Sequence, residues 1–180
     1  MTTHRYPQEA ALRDGRRVLI RPFTENDVDA LYGFFQRLPA ETRRFAWDRI
    51  DDRRLVESWG HNLDYHKAFP LLAFDGQRIV ADATLHRRDG GPLRRVGRIK
   101  WLLDPEYRGV GLGTLLLNHF IDTAKQNGLR HLTCMLIADT ESDAVETLKR
   151  LGFEDSYVVP GYGTDPDGNP HDMVKLVLAL

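Results

Sequence analysis

The sequence lacks several features that would assign it to a specialised class of protein. It has one cysteine, Cys134, which excludes an internal disulfide, and the strand-like stretch around it predicts a buried thiol. No apolar run is long enough to cross a bilayer, and residues 1–10 lack the apolar segment of a secretory signal, so we expect a cytoplasmic protein with no membrane partner. The formal net charge of −1 gives no electrostatic reason to expect binding to nucleic acid.

What is present is typical of one globular domain. The chain has 180 residues, of which 42% are hydrophobic and 28% are charged, and this is enough to bury a core of ordinary size. The sequence contains no internal repeat, no linker that would divide it and no signal of oligomeric state. We therefore treat residues 1–11 as an N-terminal tail and residues 12–180 as a single domain.

The spacing of apolar residues predicts an α/β (α+β) domain with a mixed, mostly antiparallel sheet flanked by helices. Helices are predicted from Thr24 to about Arg37, over 51–63, from the glycine-rich stretch at 109–113 to Gly128, and over 140–152. Strands are predicted at 18–22, 69–76, 78–86, 95–103, 131–138 and 172–180. Turn signals between the strands of the segment 69–103 favour an antiparallel meander there.

One stretch, YRGVGLGTLLLNHF at 107–120, places Gly109, Gly111 and Gly113 at every second position where a helix should start. Glycine there has an entropic cost, which a ligand approaching the backbone closely, such as a phosphate, would explain. A P-loop is excluded because no lysine followed by Ser or Thr stands after the last glycine. Two alternatives remain: a dinucleotide-binding loop, and a tight turn that binds nothing.

The surroundings of this loop carry a resemblance. Arg108-x-x-Gly111-x-Gly113, preceded by Leu-Leu-Asp-Pro at 102–105, resembles motif A of the GNAT superfamily of acyl-CoA-dependent N-acyltransferases. AVETLKRLGF at 144–153 is similar to the motif B helix, and residues 12–45 are similar to the acetyltransferase domain of Pat-type bacterial protein lysine acetyltransferases. The resemblance implies a GNAT-like fold over 12–180, acetyl-CoA as cosubstrate, no metal, and an amine acceptor, possibly a protein lysine.

The same resemblance implies where acetyl-CoA binds. The diphosphate is expected on the amides of the loop, and the pantetheine arm is expected to pair with the end of the strand 99–103. Arg108 either holds the loop or contacts a phosphate, and Glu141 stands where motif B commonly has an asparagine. The predicted cofactor-binding residues are Trp101, Leu102, Leu103, Arg108, Gly109, Val110, Gly111, Leu112, Gly113, Thr114 and Glu141.

The catalytic positions depart from the pattern of the family. Leu148 stands where many members have a tyrosine that protonates the departing thiolate, and Arg98 stands where Pat-type enzymes have a glutamate base. On the neighbouring strand, Asp82, Thr84 and His86 share one face because side chains alternate along a strand. Asp82 and His86 are therefore our candidate catalytic residues.

The acceptor follows from the resemblance and from amine chemistry. A protein lysine leads, although its pKa of ~10.4 makes the neutral amine scarce at pH 7. An α-amine, with a pKa of ~7.7–8.0, is presented neutral far more easily, so α-amines and small-molecule amines are the second interpretation. A non-catalytic module that binds acyl-CoA is the third.

Overall fold

The computed structural model describes residues 5–44 and 46–180. These residues form five helices and eight strands. The helices are α1 (Val28–Arg37), α2 (Ala40–Arg43), α3 (Arg53–His61), α4 (Leu112–Gln126) and α5 (Ser142–Arg150). The strands are β1 (Gln8–Ala11), β2 (Arg17–Pro22), β3 (Ala68–Asp75), β4 (Arg78–His86), β5 (Val96–Leu103), β6 (His131–Ile137), β7 (Glu154–Thr164) and β8 (Pro170–Ala179).

The described strands form one eight-stranded sheet in the order β1-β2-β3-β4-β5-β6-β8-β7. Every neighbouring pair is antiparallel except β5 and β6, which are parallel and joined through α4. That parallel pairing is short, because it joins only Val96–Arg98 to His131–Thr133. Within the described residues β5 then continues to Leu103 paired with β4 alone, so the sheet is open between β5 and β6.

A separate apolar core covers each face of the sheet. On one face α4 and α5 bury Phe120 and Leu148 among the strand residues. On the other face α1 and α3 bury Phe34 and Val56. Because side chains alternate along a strand, Leu71 belongs to the first core and Leu72 to the second.

The predicted fold class is confirmed, and the differences concern elements with weak periodicity. The sheet begins at Gln8, within the stretch that we treated as a tail, whose residues 1–4 lie outside the described residues. The predicted helix from Thr24 starts with a 3-10 turn, and α1 proper begins at Val28. The short helix α2 and the strand β7 were not predicted. In β7, Pro160 and Gly161 interrupt the alternating pattern by which a strand is predicted, and the pairing register shifts between Val159 and Gly163.

Cys134 is buried in β6, as predicted. None of the described helices combines the length and the apolar character that crossing a bilayer requires.

Candidate active site

The glycine-rich loop lies between the end of β5 and the start of α4. Gly109 and Gly111 have φ angles of +71° and +96°, a backbone region that residues with a side chain rarely adopt. Gly111 is the residue immediately before α4, so it offers no side chain to cap the helix. The first amide N–H groups of α4 are therefore available to an outside acceptor, and the helix dipole favours an anion there.

Gly113 is the second residue of α4, where glycine weakens a helix relative to alanine. A Cβ atom added to Gly113 would lie 3.7 Å from Leu103 Cδ2, which is an ordinary van der Waals distance. Packing within the described part of the chain therefore does not require a glycine here. The absence of a larger side chain at Gly113 leaves open the space beside the first amides of α4, where an anionic group such as a diphosphate could lie.

The other predicted loop residues contribute in different ways. Arg108 Nη2 donates to Thr42 Oγ1 at 2.9 Å, which ties the loop to α2. Leu112 is fully buried, and Thr114 is half-buried on the first turn of α4. The Val110 carbonyl accepts a hydrogen bond from the Arg13 amide at 3.0 Å. The loop is thus held from two sides.

Arg13 is a residue that the sequence analysis missed. It lies in the turn between β1 and β2, and its exposed side chain passes over Gly111, where an added Cβ atom would lie 3.5 Å from Arg13 Nε. Its neighbour Arg16 donates to the Glu106 carbonyl at 2.7 Å and stacks on the Tyr107 ring, 4.0 Å from its centroid. No pattern in the sequence links this turn to a loop so much later in the chain.

The end of β5 provides the second part of the site. Trp101, Leu102 and Leu103 pair with β4 on one side, and on the β6 side this segment has no strand partner among the described residues. An open strand edge of this kind can pair with the amide groups of an extended ligand. Glu141, which the resemblance to motif B suggested as a cofactor-binding residue, is half-buried, and its carboxylate accepts from the Ile137 amide at 2.7 Å. Burial raises the pKa of Glu141.

A pocket of about 310 Å³ lies on the face of β4 and β5 that α1 and α3 cover, opposite the face that carries α4 and α5. Asp82, Thr84 and His86 all line it, so the structure brings the three polar residues of β4 together as their alternation predicted. Asp82 lies opposite Leu102 in the β4–β5 register, and both residues line the pocket. The pocket therefore meets β5 at the segment whose other edge is open.

The electrostatics of the pocket centre on Asp82. Burial raises its pKa to about 7, and the nearby charge of Asp48 adds to this rise while Lys100 opposes it. Within the described residues the Asp82 carboxylate has no hydrogen-bond or ion-pair partner. Burial is the main cause that lowers the pKa of His86 to about 4, and the positive charges of Lys100 and Arg98 lower this pKa further. At neutral pH, His86 is thus uncharged and a weak base, whereas Asp82 titrates in the range that suits a general base.

The basic residues of β5 occupy different places. Arg98, which stands where the resemblance to Pat-type enzymes implies a glutamate, is exposed. Its Cζ atom lies 5.9 Å from the centroid of the Trp47 ring. Lys100 lines the pocket, and its Nζ lies 2.8 Å from Asp48 Oδ2. The pocket-facing cation of β5 is therefore already paired with a carboxylate.

Leu148, at the position of the family's acid, is fully buried in the core and supplies no proton. In the part of the chain that the structure describes, no cluster of three histidine, cysteine or acidic side chains is placed to hold a metal ion.

Comparison with known proteins identifies the family of this chain. A family model described as the acetyltransferase (GNAT) family matches residues 31–153, which is more than half of the chain. The chain belongs to the GNAT family. It is accordingly an acyl-CoA-dependent N-acetyltransferase, and the matched range runs from α1 through the meander and the glycine loop to the end of α5.

Similar proteins extend the match to most of the chain. An acetyltransferase of Pseudomonas aeruginosa is 32% identical over 135 residues, which cover 68% of this chain and 67% of that protein. The GNAT domain of S. lividans PAT has the same fold, with a TM-score of 0.79 at 19% identity over 100% of both chains. An acetyltransferase from Salmonella typhimurium, solved with its cofactor acetyl-CoA, has a TM-score of 0.74 at 20% identity, over 91% of this GNAT chain and 94% of that one.

Proposed function

We propose that this enzyme transfers an acetyl group from acetyl-CoA to a primary amine, with Asp82 as the general base. The observation that carries the proposal is the position of β5 between two sites. One edge of its end is open toward β6, beside the glycine loop, and its pocket face meets Asp82. A thioester bound in the cleft and an amine bound in the pocket would meet at this segment.

The residues around the cleft suit acetyl-CoA. The first amides of α4 and the space at Gly113 fit a diphosphate, and the exposed Arg13 guanidinium beside Gly111 adds a positive charge. The free edge at 101–103 suits the amides of the pantetheine arm. Acetyl-CoA supplies a thioester carbonyl that is open to attack by an amine.

Asp82 makes the attacking amine neutral. A lysine-type amine must lose a proton first, which costs about 4–5 kcal/mol at pH 7 for a pKa of ~10.4. A carboxylate in an apolar pocket, with its pKa raised to about 7, accepts that proton without a competing ion pair among the described residues. His86, with its pKa lowered to about 4, serves the site as a neutral group.

The leaving group needs no acid at Leu148. A thiolate whose pKa is close to the ~8.5 of cysteine departs unprotonated at a penalty of only about 2 kcal/mol at pH 7. A fully buried leucine at this position therefore leaves the reaction feasible.

The experiment is thiol release from acetyl-CoA with the purified protein and a panel of amines, beside calorimetry with CoA. The panel contains a protein with exposed lysines, a peptide with a free α-amine and small primary amines, because these are the acceptor classes that the sequence favours. We expect CoA binding and release that depends on an amine. CoA binding without release on any amine would instead establish a binding module, and an absence of CoA binding would overturn the proposal.

A further inference from the structure

We infer that the acceptor is a compact primary amine with an apolar body and no carboxylate of its own, in preference to a lysine displayed on a protein. This inference rests on the proposed function, since it concerns what enters the pocket beside Asp82. It is carried by the size of the pocket, by the pairing of its charges and by the segment that covers it.

The size and walls of the pocket suit a small apolar body. Its volume of about 310 Å³ lies at the lower end of the range for small-molecule sites. Phe23, Leu31, Ile50 and Trp59 line it. Trp59 is held edge-on against the Phe35 ring, with 6.1 Å between the ring centroids, so this aromatic wall is fixed before a ligand arrives.

The charges of the pocket select against a carboxylate on the acceptor. Lys100 is the one lysine or arginine among the described lining residues, and it is paired with Asp48. Asp64, a further carboxylate in the lining, has Lys67 at 3.5 Å. An acceptor's own carboxylate would therefore lie near Asp82 without an unpaired lysine or arginine among the described lining residues, whereas an ammonium group finds Asp82.

The covering segment favours an acceptor that is enclosed whole. Residues 46–50 line the pocket through Ala46, Trp47, Asp48 and Ile50, and the segment is fastened to β5 twice. One contact is the ion pair between Asp48 and Lys100, and the other is a cation–π contact between the Arg98 guanidinium and the Trp47 ring. A lysine on a protein would carry its main chain against this segment, while a small amine lies beneath it.

The test compares kcat/KM for thiol release with three acceptors of defined difference. 2-Phenylethylamine has the apolar body alone, phenylalanine adds a carboxylate next to the same amine, and a short peptide with one lysine and a blocked N-terminus presents a protein-like amine. We expect the first to exceed each of the others by about 100-fold, the scale on which a largely hydrophobic pocket discriminates against an analogue that adds a polar group. Equal rates for phenylalanine, or a faster lysine peptide, would overturn the inference.

Variants place the selectivity in this pocket. Trp59→Ala should raise KM for 2-phenylethylamine about tenfold while CoA affinity measured by calorimetry stays unchanged. Leu63→Ala, which trims a second lining residue, repeats the test if loss of the Phe35 contact unfolds the first variant. Leu93→Ala, which removes an exposed leucine outside the pocket, is the matched control. Unchanged KM in both pocket variants would also overturn the inference. If CoA binds but no amine causes release, the proposed function itself fails.

Discussion

Asp82 shows how the place of a residue in the sheet determines its electrostatic environment. The alternation along β4 put it on a face with Thr84 and His86, and this much was readable from the sequence. The helices α1 and α3 and the segment 46–50 cover this face, and the resulting burial raises the pKa of Asp82 to about 7. This covering depends on tertiary packing, which no local pattern in the sequence predicts.

Asp82→Asn should lower kcat/KM by about 100-fold, because the variant removes a placed general base. For the wild type, kcat/KM should rise with pH and level off above about 7, since the ionised carboxylate is the active form. In the variant this inflection should disappear. Initial rates from pH 5.5 to 9, with Asp122→Asn on the exposed face of α4 as control, test this prediction. A variant with the wild-type rate and inflection would remove Asp82 from the mechanism.

The thermal stability of Asp82→Asn distinguishes a catalytic role of Asp82 from a structural one. Because burial raises the pKa of Asp82 above its value in the unfolded chain, the unfolded state loses this proton first as pH rises. The carboxyl group therefore lowers the free energy of unfolding progressively between about pH 4 and pH 7. Asp82→Asn should unfold at a higher temperature than the wild type at pH 8, although it is less active. A variant that is both less active and less stable at pH 8 would instead indicate a structural role.

The Arg13 side chain lies beside Gly111, at the loop that we propose binds the diphosphate of CoA. Arg13→Ala should weaken CoA binding about tenfold, the usual scale for losing a hydrogen bond to a charged group. Arg17→Ala is the matched control, because Arg17 follows in the same part of the chain and is paired with Glu9 at the surface. Calorimetry measures the CoA affinity of both variants, and equal affinities would indicate that Arg13 only packs against the loop.

At the scale of elements, the loop and helix that the family motif describes were the most predictable part of the site. The sequence analysis singled out Gly111 for its cost at the start of a helix, and the structure adds that its φ is +96°, a region that glycine adopts readily. The strand β7 was not predictable, because Pro160 and the glycines that follow it are typical of loops. β7 is held by its pairing with β8, and such pairing depends on residues far away in the chain.

Variants of Gly113 test whether this position is important for CoA binding rather than for the stability of α4. Gly113→Val should abolish most CoA binding, because its methyl groups would occupy the space beside the first amides of α4, while Gly113→Ala should bind CoA more nearly as the wild type does. Gly33→Val in α1 is the control, since an added Cβ atom there would meet only the flexible end of Arg37 at 3.6 Å. Calorimetry with CoA and a thermal melt test each variant. A folded Gly113→Val protein with full CoA affinity would contradict the proposed site.

At the scale of the whole molecule, a polar cluster joins the segment after α2 to the hairpin of β7 and β8. The buried Asp165 carboxylate accepts from Arg44 Nη2 at 2.6 Å and lies 3.3 Å from His171 Nε2. Arg44 also pairs with Asp167, and His171 Nδ1 lies 3.2 Å from Asp139 Oδ2 at the end of β6. The cluster therefore links three parts of the chain beside the segment that covers the pocket. Its members carry no common motif, which is why the sequence did not reveal it.

His171 gives this cluster a dependence on pH. Its hydrogen bonds to Asp165 and then to Asp139 raise its pKa above the ordinary value, while the Arg44 guanidinium lowers the pKa of Asp165. A histidine whose pKa is raised by folding contributes stability that is fully present below its unfolded pKa of ~6.5 and is lost as pH rises through the folded value. Asp165, with its lowered pKa, stays ionised across that range.

The free energy of unfolding of His171→Asn should therefore fall below that of the wild type by more at pH 6 than at pH 9. Denaturant unfolding at both values measures the difference, and His131→Asn at the exposed start of β6 controls for the replacement of a histidine. Because the cluster borders the segment that covers the pocket, the same variant should also raise KM for the acceptor while leaving CoA affinity unchanged. A stability difference that stays constant from pH 6 to pH 9 would show that the packing of the ring, and not its charge, holds the hairpin to the rest of the molecule.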